Sequence, residues 1–200
     1  MDFRVLVIIL LSATLVNNYV LRRFLGICPF LGVSKEIKNS AGLSVATIFV
    51  MLLATIVTWP IQTYLLDPYG LGFMQIVVFI LIIAALVQFV EITLRKYVPK
   101  LYKALGVFLP LMTTNCAILA VVITNIDEGF TLLQSLINAF GAGFGFFIAM
   151  VLFAGIREYT ENANPPVAFK GLPLALISAA ILSLAFFGFA GIAENLFASQ

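Results

Sequence analysis

The sequence predicts an all-α polytopic membrane protein, and two observations support this. Apolar residues make up 62% of the chain and charged residues 10%, whereas about a quarter of the residues in a soluble domain are charged. The apolar residues also fall in continuous runs, each near the roughly 20 residues that a helix needs to span about 30 Å of hydrocarbon. Because these runs do not alternate as barrel strands do, helices are the expected spanning element.

The runs predict six transmembrane helices within a single integral membrane domain of residues 1–200. The loops between them are short, so no soluble domain is expected. The predicted spans are Phe3–Leu21, Ala41–Leu66, Leu71–Leu94, Leu101–Ile126, Phe130–Ile156 and Leu172–Phe197.

The two halves of the chain are similar to each other. Val16–Leu21 resembles Thr114–Ile118, and each of these polar interruptions falls in the first helix of its half. Three spans per half would insert the halves in opposite directions. We therefore expect two inverted three-helix repeats, about residues 1–98 and about 99–200, in which the first and fourth helices are broken. In such folds the broken helices place a functional site near the midplane.

The basic residues predict the orientation. Every lysine and arginine except Arg4 falls on one side of this topology, which the positive-inside rule makes cytoplasmic. Both termini should then be extracytoplasmic. The net charge of +2 and the lack of a basic aromatic array argue against nucleic acid as a partner. The residues assigned to the cytoplasmic side are Arg22, Arg23, Lys35, Lys38, Arg95, Lys96, Lys100, Lys103, Arg157 and Lys170.

The two cysteines both lie where a regular helix is interrupted. Cys28 directly precedes Pro29, which lacks a backbone donor and disfavours helix in the residue before it. Gly26 nearby allows backbone angles that other residues resist. Cys116 follows Pro110 in a second apolar segment. Such settings suggest that the backbone is bent to position each sulfur for binding.

The chemistry open to these thiols is limited because the chain has no histidine. Histidine-ligated haem, Rieske-type ligation and a self-contained zinc site are therefore not expected. Three interpretations remain: buried free thiols, a disulfide, or two ligands of a cluster that a second protein chain completes. From the residues alone buried free thiols come first. The interrupted backbone strengthens the third interpretation, since a thiolate in lipid is costly unless it binds a metal.

Three polar residues within the spans are candidates for an ion path: Asn17, Asn18 and Glu91. Adjacent asparagines in an apolar run are costly unless they are paired, so they either bridge helices or mark a helix break. Glu91 is expected to form an interfacial ion pair with Arg95 or Lys96. The alternative is a cation or proton relay.

Small residues in the fifth and sixth spans are expected to let helices approach closely. A phosphate-binding loop is rejected for the fifth span because no strand precedes it. The glycines concerned are Gly141, Gly143, Gly145, Gly188 and Gly191.

Four segments resemble the A-type subunit of the Rnf complexes, the ion-translocating ferredoxin:NAD oxidoreductases. They contain Cys-Pro-Phe-Leu-Gly and Thr-Thr-Asn-Cys, and the resemblance covers essentially the whole chain. The E-type subunit of the sodium-translocating NADH:quinone reductase is the nearest alternative. The segments are Phe24–Lys35, Ala84–Glu91, Leu105–Cys116 and Leu152–Glu158.

The resemblance implies a membrane subunit that shares one [2Fe–2S] centre with the homologous E-type subunit of inverted topology, each giving two cysteines. Here the ligands would be Cys28 and Cys116. The centre would relay electrons across the bacterial cytoplasmic (inner) membrane, between cytoplasmic iron–sulfur subunits and a flavin-bearing subunit, coupled to Na⁺ or H⁺ movement. The chain alone would perform no substrate chemistry.

Groups around the ligands should tune such a centre through hydrogen bonds to sulfur. The candidates are Gly26, Pro29, Thr114 and Asn115. Two other functions remain open, an ion-conducting subunit resembling a secondary transporter and a structural scaffold without a redox centre.

Overall fold

The computed structural model describes residues 3–33, 37–97, 112–163, 166 and 169–198. The first part of the predicted fourth span, with Pro110, lies outside the described residues. So do Lys35, Lys100 and Lys103 among the basic residues that define the orientation.

Every regular element in the described residues is helical, which confirms the predicted all-α class. Helix α1 continues into a π-helical turn, Ser12–Val16, and α3 into another, Gln62–Leu66. A short 3-10 turn, Gly72–Met74, precedes α4. The α-helices are α1 (Phe3–Leu11), α2 (Ile27–Val33), α3 (Ile37–Ile61), α4 (Gln75–Tyr97), α5 (Cys116–Asp127), α6 (Leu132–Asn162) and α7 (Leu172–Ala198).

Three helical stretches are long and apolar enough to cross a membrane: Ile37–Leu66, Gly72–Tyr97 and Leu132–Thr160. They correspond to the predicted second, third and fifth spans. The shorter apolar helices are Arg4–Val16, Cys116–Asp127 and Leu172–Gly188. The first two belong to the spans that were expected to be broken. The inverted arrangement and the division near residue 98 stay predictions.

The first span ends earlier than predicted. Helical structure stops at Val16, and Leu21 lies in a non-helical segment that runs to Gly26. The reason is local, because the Asn18 Oδ1 accepts hydrogen bonds from the amides of Val20 and Leu21. An asparagine side chain that takes backbone donors in this way competes with helix formation.

Helix α6 forms the centre of the bundle, and its glycines allow the neighbouring helices to approach it closely. A Cβ on Gly141 would lie 3.0 Å from the Leu10 carbonyl oxygen, and one on Gly145 would lie 2.8 Å from that of Thr14. A Cβ on Gly143, on another face, would meet Ile48 Cγ1 at 2.8 Å. Glycine therefore lets α6 touch the α1 backbone on one face and α3 on another, as predicted.

The same prediction fails at Gly188 of α7. Within the described part of the chain, a Cβ there would have no neighbour within 4 Å. Close helix approach at this glycine is therefore not a feature of the fold that the chain forms by itself.

Candidate metal centre

The first helix break, residues 17–26, is built around the side chain of Asn18, which is 1% exposed. Its Nδ2 donates to the Gly145 carbonyl at 2.9 Å and to the Thr14 carbonyl at 3.4 Å. Its Oδ1 accepts from the amides of Val20 at 3.0 Å and Leu21 at 3.2 Å. One amide therefore bonds to three backbone groups on either side of the interruption, and its fourth bond, to Gly145, ties the break to α6.

The chain leaves this break through two residues in the left-handed region, Phe24 (φ 55°) and Gly26 (φ 79°). Helix α2 begins directly afterwards, with Cys28 as its second residue and Pro29 as its third. Proline suits the first turn of a helix, where its missing N–H would have no partner within the helix. Gly26 and Pro29 thus determine where the Cys28 side chain lies.

The second break is much shorter and is organised by Asn115. Its backbone is extended (φ −74°, ψ 108°), and its side chain accepts a hydrogen bond from the Ala117 amide, as an N-cap residue does. Cys116 is therefore the first residue of α5. The Cys116 thiol donates weakly to the Thr114 carbonyl at 3.8 Å.

The two breaks are in direct contact. A Cβ on Gly26 would lie 3.0 Å from Asn115 Oδ1, 3.2 Å from the Ala117 Cβ and 3.3 Å from Phe146 Cε2. Gly26 precedes Cys28 by two residues, and Asn115 and Ala117 flank Cys116. The structure thus brings the segments that carry the two predicted ligands together.

The contacts with α6 place this junction at mid-depth in the bundle. Phe146, which Gly26 touches, is near the middle of the 31-residue helix α6. From there α2 runs toward the α6 C-terminus: Phe30 stacks on Phe153 with a centroid distance of 4.0 Å, and Arg157 Nη1 donates to the Leu31 carbonyl. The chain connects the far end of α5 to the start of α6.

Arg22 and Arg23 do not lie where the topology prediction put them. Arg23 Nη1 donates to Thr124 Oγ1, close to the end of α5 that carries Asp127. Thr124 is eight residues from Cys116, or about 12 Å along the helix. Arg23 therefore extends toward the side assigned as extracytoplasmic, and Arg22 Nη1 donates to the Val16 carbonyl and to Asn17 Oδ1 within the break. Neither arginine gives a reason to place Cys28 at the cytoplasmic surface.

Both cysteines are free, and both are exposed on the surface of this chain. The structure therefore contains neither the buried thiols nor the disulfide that the sequence left open. Within the described residues, no group of three or more Cys, Asp, Glu or His side chains could hold a metal. Two exposed thiols on adjoining segments fit half of a four-thiolate iron–sulfur site, and they do not fit a complete one.

The surroundings of the thiols are suited to negative charge. Each cysteine lies in the first turn of a helix, where unpaired backbone N–H groups and the helix dipole favour anions. Asn115 is 4% exposed, and its Nδ2 has no hydrogen-bond partner among the described residues. Its orientation is fixed, because turning the amide over would lose the bond to Ala117.

The predicted ion-path residues do not form one group. Asn18 is fully used by backbone partners, and Asn17 is half-buried, with Arg22 donating to its Oδ1 and its Nδ2 donating to Ser12. Glu91 lies half-buried on α4. Among the described residues, its carboxylate forms no ion pair with Arg95 or Lys96, so the expected interfacial ion pair is absent.

Sequence reasoning missed a polar group at the α5–α6 junction. Asn138 Nδ2 donates to Asn125 Oδ1 at 2.7 Å, and Ser135 is fully buried beside them with an Oγ that has no partner among the described residues. Both asparagines fall within or at the edge of predicted spans, and polar residues there could have indicated the site.

Comparison with known proteins identifies the family. Residues 6–193 match the family described as "Rnf-Nqr subunit, membrane protein". The chain belongs to this family. It is therefore a membrane-protein subunit of the Rnf-Nqr type, and the resemblance seen in the motifs is confirmed.

Individual relatives of the Rnf-Nqr family agree. The chain is 52% identical to the A-type subunit of the Na(+)-translocating ferredoxin:NAD(+) oxidoreductase complex of Acetobacterium woodii, over 93% of this chain and 97% of that protein. It is 52% identical to the A-type subunit of the ion-translocating oxidoreductase complex of Syntrophotalea carbinolica and 50% identical to that of Pasteurella multocida, over 94% and 93% of this chain and 97% of each relative.

Proposed function

We propose that this chain is the A-type subunit of an ion-translocating Rnf oxidoreductase complex, in which Cys28 and Cys116 hold half of an intramembrane [2Fe–2S] centre. The names of the relatives support the complex. The main support for the site is the contact between the two helix breaks. Both free thiols lie at the start of a helix, on the segments that adjoin at this contact.

The other half of the site comes from a homologous membrane subunit with the opposite orientation. A [2Fe–2S] centre takes four ligands, and this chain has two cysteines, on segments that adjoin at Gly26 and Asn115. Exposed thiols point to a site at a subunit interface, since a centre held by one chain would be enclosed by that chain.

When bound, the centre supplies one-electron transfer. At mid-depth it divides a barrier of roughly 30 Å into two shorter steps. The task of this chain is to hold two sulfurs at that depth and to exclude water. Phe146 and Ala117, which pack against Gly26 and are 1% and 0% exposed, provide an apolar backing for the site.

The candidate tuning residues act in different ways. Gly26 provides the left-handed backbone and the close approach to α5, and Pro29 starts α2 behind Cys28. A ligating Cys116 thiolate has no proton to donate to the Thr114 carbonyl, so it requires a donor in its place. The unpaired Asn115 Nδ2 is available for that role.

We further propose that both termini are extracytoplasmic and that the membrane is the bacterial cytoplasmic membrane. Among the described basic residues, five lie near the helix ends assigned as cytoplasmic, which supports this orientation: Lys38, Arg95, Lys96, Arg157 and Lys170. Electrons would then pass between cytoplasmic iron–sulfur subunits and a flavin-bearing subunit, coupled to Na⁺ or H⁺ movement.

The test replaces each ligand in the intact complex. Cys28→Ser and Cys116→Ser should each abolish the electron paramagnetic resonance signal of one [2Fe–2S] centre and lower the iron content by about two atoms per complex. Thr93→Ser, an equally small change on the exposed face of α4, should change neither.

Assembly must be measured on the same samples. The subunits should still co-purify, since both thiols are exposed and contribute nothing to the core of this chain. Full signal and full electron transfer in both cysteine variants would instead indicate a scaffold or an ion-conducting subunit without a redox centre.

A further inference from the structure

A cavity of about 200 Å³ that opens to the surface and is lined in part by polar side chains lies beside the first helix break, apart from the thiol site. It is bordered by α1, the residues of the break, the end of α5 and the start of α6. At roughly 30 Å³ per molecule it would hold about six waters. Its polar lining consists of Ser12, Asn17, Arg23, Thr124, Glu128 and Asn138.

The cavity connects the surface to the interior. Glu128, at one end, is exposed and belongs to the α5–α6 loop. The lining also includes Ala13 and Tyr19, which are 3% and 4% exposed. A polar passage that starts at a loop and ends at a broken helix is unusual within apolar spans, where polar groups are costly without water or an ion.

The polar surface continues into the protein behind Asn138. Its Nδ2 donates to Asn125, whose own Nδ2 donates to the Ser135 carbonyl at 3.4 Å. The Ser135 hydroxyl oxygen is buried without a partner among the described residues. An unsatisfied hydroxyl so close to the cavity is the kind of group that an ordered water or a cation satisfies.

Two opposite charges line the cavity without forming an ion pair in the described part of the chain. Arg23 is held by Thr124 Oγ1 at 3.3 Å and lies 5.2 Å from the centroid of the Tyr19 ring. Glu128 is at the surface end. The Glu128 carboxylate attracts cations to the cavity, and the Arg23 guanidinium, which is exposed and held on the same lining, opposes their free passage. This arrangement suits a closed inlet better than an open channel.

We propose that this cavity is a hydrated inlet through which a monovalent cation reaches the first helix break from the side of the α5–α6 loop. The identity of that cation as the coupling ion rests on the proposed function. The inlet itself does not, because its access to water is independent of any redox centre.

Thiol accessibility tests the inlet in membrane vesicles that contain the intact complex. Ser12→Cys places a thiol on the cavity wall, while Leu11→Cys, its neighbour, places one on a face that is 47% exposed and outside the cavity. A membrane-impermeant cationic methanethiosulfonate should modify Ser12→Cys about 100-fold faster, because a lipid-facing thiol rarely ionises. The unsubstituted complex gives the background from Cys28 and Cys116.

The side of entry is defined by Glu128→Cys at the mouth. Ser12→Cys should react only from the side at which Glu128→Cys reacts. Ile9→Cys, also on the wall, should behave in the same way if the Ser12 substitution disturbs the π-helical turn. Reaction from the opposite side only, or rates for both wall positions no faster than for Leu11→Cys, would overturn the proposal.

Charge selectivity is tested with Glu128→Gln in the Ser12→Cys background. Loss of this carboxylate should slow the cationic reagent by about twofold to threefold and leave a neutral reagent of similar size unaffected. Equal effects on both reagents would overturn the assignment to cations. The iron–sulfur signal of the same membranes reports on the proposed function separately, so failure of one does not imply failure of the other.

Discussion

Each of the two helix breaks is followed by a helix with a cysteine in its first turn, but the breaks differ in length and in the hydrogen bonds that hold them. The first is ten residues long and is held by the amide of Asn18, whose four hydrogen bonds all go to backbone groups. The second spans two residues, Thr114 and Asn115, and is held by Asn115, which uses its oxygen as a cap and whose Nδ2 has no partner among the described residues.

This difference indicates a structural role for Asn18 and a functional role for Asn115. An asparagine with every group satisfied is explained by the fold alone. An asparagine with a buried, unpaired donor beside a thiol is explained only by a further acceptor, because such a donor costs about 1–3 kcal/mol. The first break is therefore expected to determine stability, and the second to determine the properties of whatever the thiols bind.

The largest effect is expected for Asn18→Leu. It leaves the amides of Val20 and Leu21 without their side-chain acceptor and removes the bond to the Gly145 carbonyl of α6, which should cost about 4 kcal/mol in total. We expect little assembled complex, measured by size-exclusion chromatography of solubilised membranes. Asn17→Ala, at the half-buried neighbour, should leave most of the complex intact. Equal losses would show that the two asparagines do not differ in role.

Gly26→Ala tests the contact between the breaks. The left-handed backbone costs an alanine roughly 1–2 kcal/mol, and the new methyl group would lie 3.0 Å from Asn115 Oδ1. We expect about 3 kcal/mol of destabilisation and a lower iron content. Gly70→Ala has a similar φ of +63° but open space around it, so it should show the strain without the loss of iron. Iron loss in both variants would contradict the contact.

Gly145→Ala tests the packing of the first break against α6. Its Cβ would lie 2.8 Å from the Thr14 carbonyl oxygen, which is backbone and cannot easily move. We expect about 2 kcal/mol of destabilisation, seen as a lower thermal midpoint of the complex. Gly155→Ala, on the same helix with no neighbour within 4 Å, should be neutral or slightly stabilising.

The smallest effect is expected for Asn115→Ser. Serine retains an N-cap acceptor but removes the Nδ2 donor. If that donor reaches a cluster sulfur, the midpoint potential should fall by about 40 mV, the equivalent of one hydrogen bond of about 1 kcal/mol. A redox titration followed by electron paramagnetic resonance measures this shift. An unchanged potential would remove Asn115 from the tuning residues.

The sequence predicted the helical class and the two broken spans because apolar length and polar interruptions are local signals. Proline and glycine around Cys28 correctly indicated a bend. The end of the first helix was placed five residues late. The Asn18 side chain takes the donors of Val20 and Leu21, and its bond to the Gly145 carbonyl of α6, 127 residues away, is a partner that the local sequence does not reveal.

Long-range partners were beyond prediction for the same physical reason. Arg22 and Arg23 were assigned to the cytoplasmic side from their position after an apolar run, yet Arg23 bonds to Thr124, 101 residues away. The polar cavity likewise combines Ser12 with Asn138, which only the packing of α1 on α6 brings together. The expected Glu91 ion pair fitted the helical spacing, but spacing alone does not make a pair stable when its basic partners, Arg95 and Lys96, are exposed.

An experimental density map of the purified complex tests the central claim most directly. The account predicts iron and sulfide density in contact with both Cys28 Sγ and Cys116 Sγ, closed on its far side by two thiols of a homologous membrane protein. Two sulfurs that lie far apart, or that face lipid with no heavy atoms beside them, would contradict it.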